Sequence, residues 1–523
     1  MQVKIKMANL IFPGRAAKLF IALNQPRTIN TLMNSYGRFF CTKYGCLSQQ
    51  DGISLPKRYL GQPTPFTHKH LLKDDEITPQ VTRQEYMDRR TALMSAIGRS
   101  FSGGSSGSNH AVVVLAADKK YMTDDIPYPF RQNTSFLYLT GFQEPDSALV
   151  LESIPGRPLP EHKATLFVQQ RDPERELWDG PRAGTEGALQ FLGVHECKPI
   201  GDLSEKLHSL ANSKSELVAW YDVFKPSNAT LHKEVKDTFV QQCRNRGHPV
   251  NILENVLQSQ RVIKSPSEQD LMRTSASVAA NAIKDVMAFS HPGVNESILY
   301  AKLDYSCRVR GAEFLAYPPV IAGGSRANTL HYISNNQMIL DTELVLMDAG
   351  CECHGYASDI TRTWPVNGRF TEPQAEVYQA ILDVQKDCIE MCTVGGTLDQ
   401  VYHFMLAELG KCLQEMRVLP PELAEWELIK MTKQYCPHHV GHYLGMDTHD
   451  TGRVSRSSQL QHGMVVTIEP GLYIPESDTS APAKYRGIGI RIEDDILVTT
   501  DGPEILSVEC PKEIEELETL IRK

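Results

Sequence analysis

The sequence predicts an α/β (α+β) protein of two domains: an N-terminal α/β domain over 82–255 and a C-terminal domain of helix pairs and strands over 262–511. Three observations predict it. At 523 residues the chain exceeds what one hydrophobic core ordinarily spans. Between Thr82 and about residue 250, short apolar runs alternate with helical or turn-rich stretches, the pattern of an α/β layer. At RVIKSPSEQDLMRT the composition shifts to longer helices interleaved with strands that carry acidic residues.

Residues 1–50 hold seven basic residues and no acid, against 47 basic and 63 acidic residues beyond them. A basic, acid-free leader whose apolar ANLIF is broken at once by Pro13-Gly14 fits a mitochondrial presequence better than a secretory signal. Arg38-Phe39-Phe40 before Cys41 resembles a matrix-protease site, so cleavage near residue 40 is expected. A start at Met7 or Met33 would shorten this leader and leave some protein in the cytosol. The net charge of −9 gives no reason to expect a nucleic-acid partner, and no apolar run is long enough for a membrane span. Twelve scattered cysteines show no disulfide framework and suit a reducing compartment.

Residues 51–81, with Pro56, Pro63, Pro65 and Pro79, read as an extended connector. From Thr82 the apolar residues Tyr86, Leu93, Met94 and Ile97 mark an amphipathic helix, opened by a Thr82/Glu85 capping box. The Gly/Ser run at 102–108 reads as a loop inside the domain. AVVVLAA, SFLYLTG, SALVLES, KATLFVQ and ELVAWYD follow as strand-like runs. Arg171, Asp172, Glu174 and Trp178 fall on a segment more typical of a solvated loop than of an active-site contact. In the second domain, Ser265 as N-cap, Pro266 in the first turn and Glu268 three residues on predict a helix to about Phe289.

The chemistry lies in the last third. ELVLMDAG places Leu344, Leu346 and Asp348 on one strand face; a turn at Gly350–Gly355 returns through a second strand that starts near Asp359. Facing carboxylates repel unless they share a proton or a cation. On this pair alone, aspartates that merely cap turns are an equal alternative. PHHVGHYLGMDTHD then adds His438, His442 and His449, and NTLHY adds His331. VVTIEPG puts Glu469 at a strand end. In GIGIRIEDD, Arg491 and Glu493 share one face, so Arg491 is suited to orient Glu493, while Asp494 falls on the apolar face and is left out with Asp495. Oxygen-rich ligands with one imidazole favour Mn²⁺, with Co²⁺ or Zn²⁺ as substitutes, and four carboxylates suit two bridged ions that make a hydroxide nucleophile.

These segments, in this order, resemble the pita-bread metallopeptidases: methionine aminopeptidase, prolidase and aminopeptidase P. LAYPPVIAGG, NTLHY, VLMDAG, SDITRTWPV, HHVGHYLGMDTHD, TIEPGLYIP and GIGIRIEDD carry the resemblance, and DIPYPFRQNTSFLYLTGFQEPDSALVL is similar to the N-terminal creatinase/aminopeptidase P-like domain. With the basic leader, the mitochondrial X-prolyl aminopeptidases are the nearest branch. The resemblance implies two divalent ions, most simply Mn²⁺: Asp348 on one, His442 and Glu469 on the other, Asp359 and Glu493 bridging. It implies His331 and His449 binding the substrate peptide group and assisting catalysis with Arg491, His438 lining the side beyond proline, and Tyr317 touching substrate. The reaction implied is hydrolysis of the X-Pro bond at a peptide's N-terminus, by a homodimer acting on peptides with proline second. A prolidase-like dipeptidase, or an inactive pita-bread peptide-binding module, is the alternative.

Overall fold

The computed structural model describes residues 58–100, 109–213, 216–224 and 226–522; the leader, its processing site and the Gly/Ser run lie outside these. Helix α1 (Arg83–Ser100) opens with half of the expected capping box: the Thr82 hydroxyl accepts from the Glu85 backbone N–H at 3.2 Å, while the Glu85 carboxylate accepts instead from Arg89 (2.8 Å) and Ser265 Oγ (2.7 Å). Its buried face holds Tyr86, Leu93, Met94 and Ile97, but also Arg89 and Arg90. Arg90 donates to the carbonyls of Leu139 (2.8 Å) and Gly193 (2.6 Å), so this buried guanidinium serves backbone oxygens that no helix or strand satisfies.

Strand β1 (Asn109–Leu115) follows. SFLYLTG is not a strand but helix α2 (Thr134–Thr140). A short apolar run fits either state. Here Asn133 caps the Phe136 N–H and Gly141 ends the helix at φ 66°, a left-handed position that glycine takes without strain. Then come β2 (Ala148–Ser153), β3 (His162–Val168), α3 (Pro173–Asp179), β4 (Glu196–Pro199), β5 (Leu217–Trp220) and β6 (Val250–Asn251). The stretch read as a loop is helix α3, which buries none of its residues, so Glu174 and Trp178 are solvated. The six strands form one mixed sheet, ordered β4-β3-β2-β1-β5-β6, antiparallel across β3-β2-β1 and parallel at both edges.

Helix α4 (Pro266–Phe289) carries the predicted capping box, Ser265 Oγ accepting from Glu268 N at 3.3 Å and Glu268 Oε2 from Ser265 N at 2.9 Å. It is followed by α5 (Glu296–Arg308), β7 (Phe314–Leu315), β8 (Val320–Gly323), β9 (Leu344–Ala349), β10 (Cys351–Cys353), β11 (Tyr356–Ala357) and β12 (Ile360–Pro365). Helices α6 (Glu372–Glu390), α7 (Leu398–Glu415) and α8 (Glu425–Tyr435) precede β13 (Val465–Ile468), β14 (Gly471–Tyr473), β15 (Gly489–Arg491), β16 (Asp494–Thr499) and β17 (Gly502–Ile505). These strands pair as four small antiparallel sheets: β8-β9-β12, β11-β10-β7, β13-β16-β17 and β14-β15. GIGIRIEDD is thus two strands, interrupted at Ile492–Glu493.

One hydrophobic cluster draws on both halves, packing Val112, Phe136 and Leu151 with Tyr356, Leu444 and Val465. Polar links reinforce the seam. Arg131 meets Glu352 at 2.7 Å, and Tyr356 donates to Glu268 at 2.8 Å beside Arg89. Behind the last strands, Asp494 is fully buried and bound by Arg362 (2.6 Å), Lys512 (2.7 Å), Ser507 (2.6 Å) and Gln385 (2.8 Å). The carboxyl lies well below its usual range, because Arg362 and Lys512 outweigh the cost of its burial. Removing one partner of such a pair strands a buried charge. Asp494→Ala should therefore lose roughly 3–5 kcal/mol of stability in denaturant unfolding; a change within error would show the network to be dispensable.

Candidate metal centre

Antiparallel pairing of β9 with β12 sets Asp348 opposite Thr361, and Asp359 lies two residues before Thr361 on the same side. The Tyr317 hydroxyl donates to Asp348 Oδ1 at 2.6 Å and also contacts Asp359. The chain can cross here only because residue 350 is glycine: a Cβ on Gly350 would stand 1.7 Å from the Ser358 carbonyl oxygen. Gly441 plays the same part on the other wall, where a Cβ would meet the Thr467 oxygen at 1.8 Å. That close approach lets 440–442 hydrogen-bond along β13, with Thr467 N donating to His442 O (2.9 Å) and Glu469 N to Val440 O (2.8 Å).

His442 is fixed in orientation. Its Nδ1 donates to the Tyr443 carbonyl at 3.1 Å, leaving Nε2 to face Asp359 Oδ2 (3.4 Å) and Glu469 Oε1 (3.8 Å). Asp359, His442 and Glu493 each offer a ligand atom, all within 4.8 Å of one another. Arg491 donates to Asp348 Oδ2 at 2.6 Å and to the Thr361 hydroxyl at 3.1 Å, and Thr361 in turn donates to Glu493 Oε2 at 2.5 Å. Arg491 therefore grips Asp348 directly and reaches Glu493 only through Thr361, not side by side as strand parity predicts. The break at Ile492–Glu493 is the reason.

Burial, compounded by Asp359, Glu469 and Asp348, raises the Glu493 carboxyl well above its ordinary range. Burial lifts Glu469 to about 7 against the relief given by His442 and Arg491, and lifts Asp348 as well. Burial pulls His442 down, but Asp359 and Glu469 more than reverse it, to about 9. This is a cluster of carboxylates with too little positive charge, surrounding an imidazole whose Nε2 is aimed inward. Asp348, Asp359, His442, Glu469 and Glu493 together offer the oxygen-rich donor set that fits divalent cations.

The histidines occupy three environments. His449 is exposed and meets the His442 ring edge-on at 4.4 Å; desolvation and the His442 charge lower its pKa. His331 is exposed on the segment after β8. His438 places Nδ1 3.8 Å from Glu469 Oε2 and accepts at Nε2 from the Tyr473 hydroxyl, 3.0 Å away, while burial and then Arg491 pull it down to about 4. Tyr473 also accepts from Arg491 Nη1 at 2.7 Å. Thr361 and Tyr473 escape sequence reading, since each acts through a tertiary hydrogen bond. Asp495, set aside with Asp494, is buried directly behind the site and accepts from the Asp359 N–H at 3.2 Å.

The chain is 51% identical over 467 residues to Xaa-Pro aminopeptidase 3 of Homo sapiens, covering 89% of this chain and 91% of that protein. Residues 86–219 match the aminopeptidase P N-terminal domain, and 270–500 match metallopeptidase family M24. This chain belongs to the aminopeptidase P family of M24 metallopeptidases. An Arabidopsis thaliana member, "Intermediate cleaving peptidase 55, mitochondrial", is 39% identical over 464 residues, 89% of this chain and 88% of the relative. Zn-substituted Escherichia coli aminopeptidase P in complex with product superposes with a TM-score of 0.76 at 33% identity, over 84% of this chain and 98% of that one. The two-domain α/β expectation is that of the aminopeptidase P family fold.

The charge balance makes cation uptake pH-dependent. A carboxyl raised from 4.5 to about 7, as Glu469 is, favours the folded metal-free protein fully below 4.5 and progressively less as pH rises through 7. A cation binds only the ionised form, so binding displaces protons. Titrating metal-free protein with Mn²⁺ should release protons near pH 7, with affinity falling as pH is lowered from about 8 to about 6. Calorimetry in two buffers of different ionisation enthalpy checks this; identical heats in both would contradict it.

Proposed function

We propose that this chain is a metal-dependent Xaa-Pro aminopeptidase that hydrolyses the bond before a proline at position two of peptides, with two divalent ions, most simply Mn²⁺, in mitochondria. The observation that carries the reading is that Asp359, His442 and Glu493 stand within reach of one cation, with Glu469 3.8 Å from His442 Nε2 and Asp348 joined to Asp359 through Tyr317, in a chain of this family. The mitochondrial location rests on the basic leader and on the name of the Arabidopsis relative. Our division of the chain stays at 82–255 for the N-terminal domain and 262–511 for the catalytic one.

The ions, when bound, would polarise the scissile carbonyl and lower the pKa of the attacking water. The chain's own residues do the rest. Asp348, Asp359, His442, Glu469 and Glu493 would hold the ions, with Asp359 and Glu493 as the carboxylates that would be shared between them. Arg491 aims Asp348 and offsets part of the burial that raises its pKa, and Thr361 fixes Glu493. An X-Pro bond has no amide hydrogen, because the proline nitrogen carries none. Recognition must therefore use the carbonyl and the ring, and His331 and His449 at the open side take the peptide group. The leaving imino nitrogen needs a proton. His449, exposed beside the site and with its pKa lowered by desolvation and then the His442 charge, serves as a relay that accepts the proton released by the attacking water and passes it to the imino nitrogen as the C–N bond breaks. His438, neutral and anchored by Tyr473, lines the side beyond proline. Tyr317 stands between Asp348 and Asp359, where the substrate's amino end would arrive.

Asp359→Ala should remove both bound metal and turnover, by about a thousandfold or more, since a bridging carboxylate serves two ions; metal analysis and hydrolysis of a short X-Pro series decide it. Normal turnover would refute the bridging role. Activity confined to the dipeptide Gly-Pro, with none on longer X-Pro-peptides, would favour the prolidase reading.

A further inference from the structure

His331 sits on a segment between β8 and β9 that opens with a short 3-10 turn (Gly324–Asn328) and is otherwise irregular and largely exposed. Backbone hydrogen bonds join its far end to 293–296, and a carboxylate 35 positions before His331 ties together points along its length. Glu296, the first residue of α5, is fully buried. Its Oε1 accepts from the Gly323 N–H (3.0 Å) and from Arg326 Nε (2.8 Å). Its Oε2 accepts from the Tyr332 hydroxyl (2.9 Å) and from the Gln337 N–H (2.9 Å). One side chain thus ties down the segment's entry, the residue adjoining His331, and its exit.

Two simpler accounts of Glu296 fall short. Capping of α5 is already performed by Asn295, whose Oδ1 accepts from the Ser297 N–H at 2.9 Å. An acid in the first turn gains from the helix dipole, but that favours placement near the terminus and not complete burial. Nor is the Arg326 pair an obvious source of stability: buried ion pairs seldom outweigh the loss of solvation. Three of the four bonds go to groups spread over the segment itself, which is what a device for holding geometry needs. Asn335 adds a second clamp at φ 45°, its amide donating to the Pro319 carbonyl (2.8 Å) and its oxygen accepting from Ile321 N–H (3.0 Å). That bond fastens the same segment to the stretch that follows Tyr317.

We infer that Glu296 is a positioning residue for peptide hydrolysis, acting on His331 through Tyr332 and the backbone of Gln337. The inference rests on the reading above that His331 contacts the substrate. It makes a demand that a merely structural carboxylate would not: the loss caused by weakening the clamp must pass through His331.

The test is a double-mutant cycle on the Mn²⁺-loaded full-length protein, measuring kcat and KM on a tripeptide with proline second, together with Tm and metal content. Tyr332→Phe removes one hydrogen bond without disturbing the buried carboxylate, so it guards against Glu296→Gln failing to fold. Tyr332→Phe should lower kcat/KM about tenfold and Glu296→Gln more, with metal content unchanged, because displacing a reactive group by a fraction of an ångström is costly. In a His331→Ala background, Tyr332→Phe should cost nothing further. An equal tenfold loss in both backgrounds would overturn the clamp while leaving the role of His331 intact. Full activity of His331→Ala alone would instead overturn the assignment of His331, and the clamp with it.

Discussion

Mutual repulsion among four largely buried carboxylates is the condition to which the rest of the C-terminal half answers. Two like charges about 4 Å apart cost about 4 kcal/mol even at an effective dielectric of about 20. Asp359, Asp348 and Glu469 each push the Glu493 carboxyl up, and among the described residues Arg491 is the guanidinium bonded into the cluster. Such a cluster does not assemble by attraction; a scaffold must impose it. The β9–β12 ladder imposes the first two acids, the 440–442 segment laid along β13 brings in His442 and Glu469, and the break after β15 turns Glu493 inward. Gly350 and Gly441 are where backbones meet too closely for any side chain.

The loop that carries the imidazoles is held from the other half of the molecule. Asp447 lies between His442 and His449, and accepts from Thr134 Oγ1 (2.6 Å), Arg131 (3.2 Å) and Arg261 (3.1 Å). Asp450, one residue after His449, is buried with Arg261 and Lys264. Thr134 is the first residue of α2 and Arg131 lies just before it, at the head of the segment read as a strand. The N-terminal layer is thus part of what fixes the site, since Arg131 and Thr134 stand on the histidine loop.

Where chemistry follows from chain order, the sequence discloses it. The hairpin between Asp348 and Asp359, the three histidines around one glycine-bearing loop, and Glu469 at a strand end are all legible, because pleat and period act over a few residues. The capping box at Ser265 is legible for the same reason. What depends on a partner far along the chain is not. Nothing near Thr361 announces that it links Arg491 to Glu493, and strand parity fails at Glu493 because parity presumes an unbroken strand. Asp494 on the apolar face would look like an error in the pattern; it is instead the partner of a buried arginine 132 residues away. Arg89 and Arg90 likewise disguise the buried face of α1, since a guanidinium enters a core once neighbouring carbonyls satisfy it.

Three histidines in one short stretch end with different chemistry because each faces different charges. His438 lies near Arg491 with its Nε2 already engaged by Tyr473, so it has no reason to take a proton at pH 7. His449, set against the His442 ring, is held neutral as well, and exposed enough to exchange protons with whatever enters. His442 is the opposite case, drawn upward by Asp359 and Glu469. A proton on its Nε2 and a cation at the same place would satisfy the same two carboxylates, so the two compete. The carboxylates that make the site attractive to a cation are therefore also what make it attractive to protons. With Nδ1 committed to the Tyr443 carbonyl, Nε2 is the only nitrogen at which that competition can be settled.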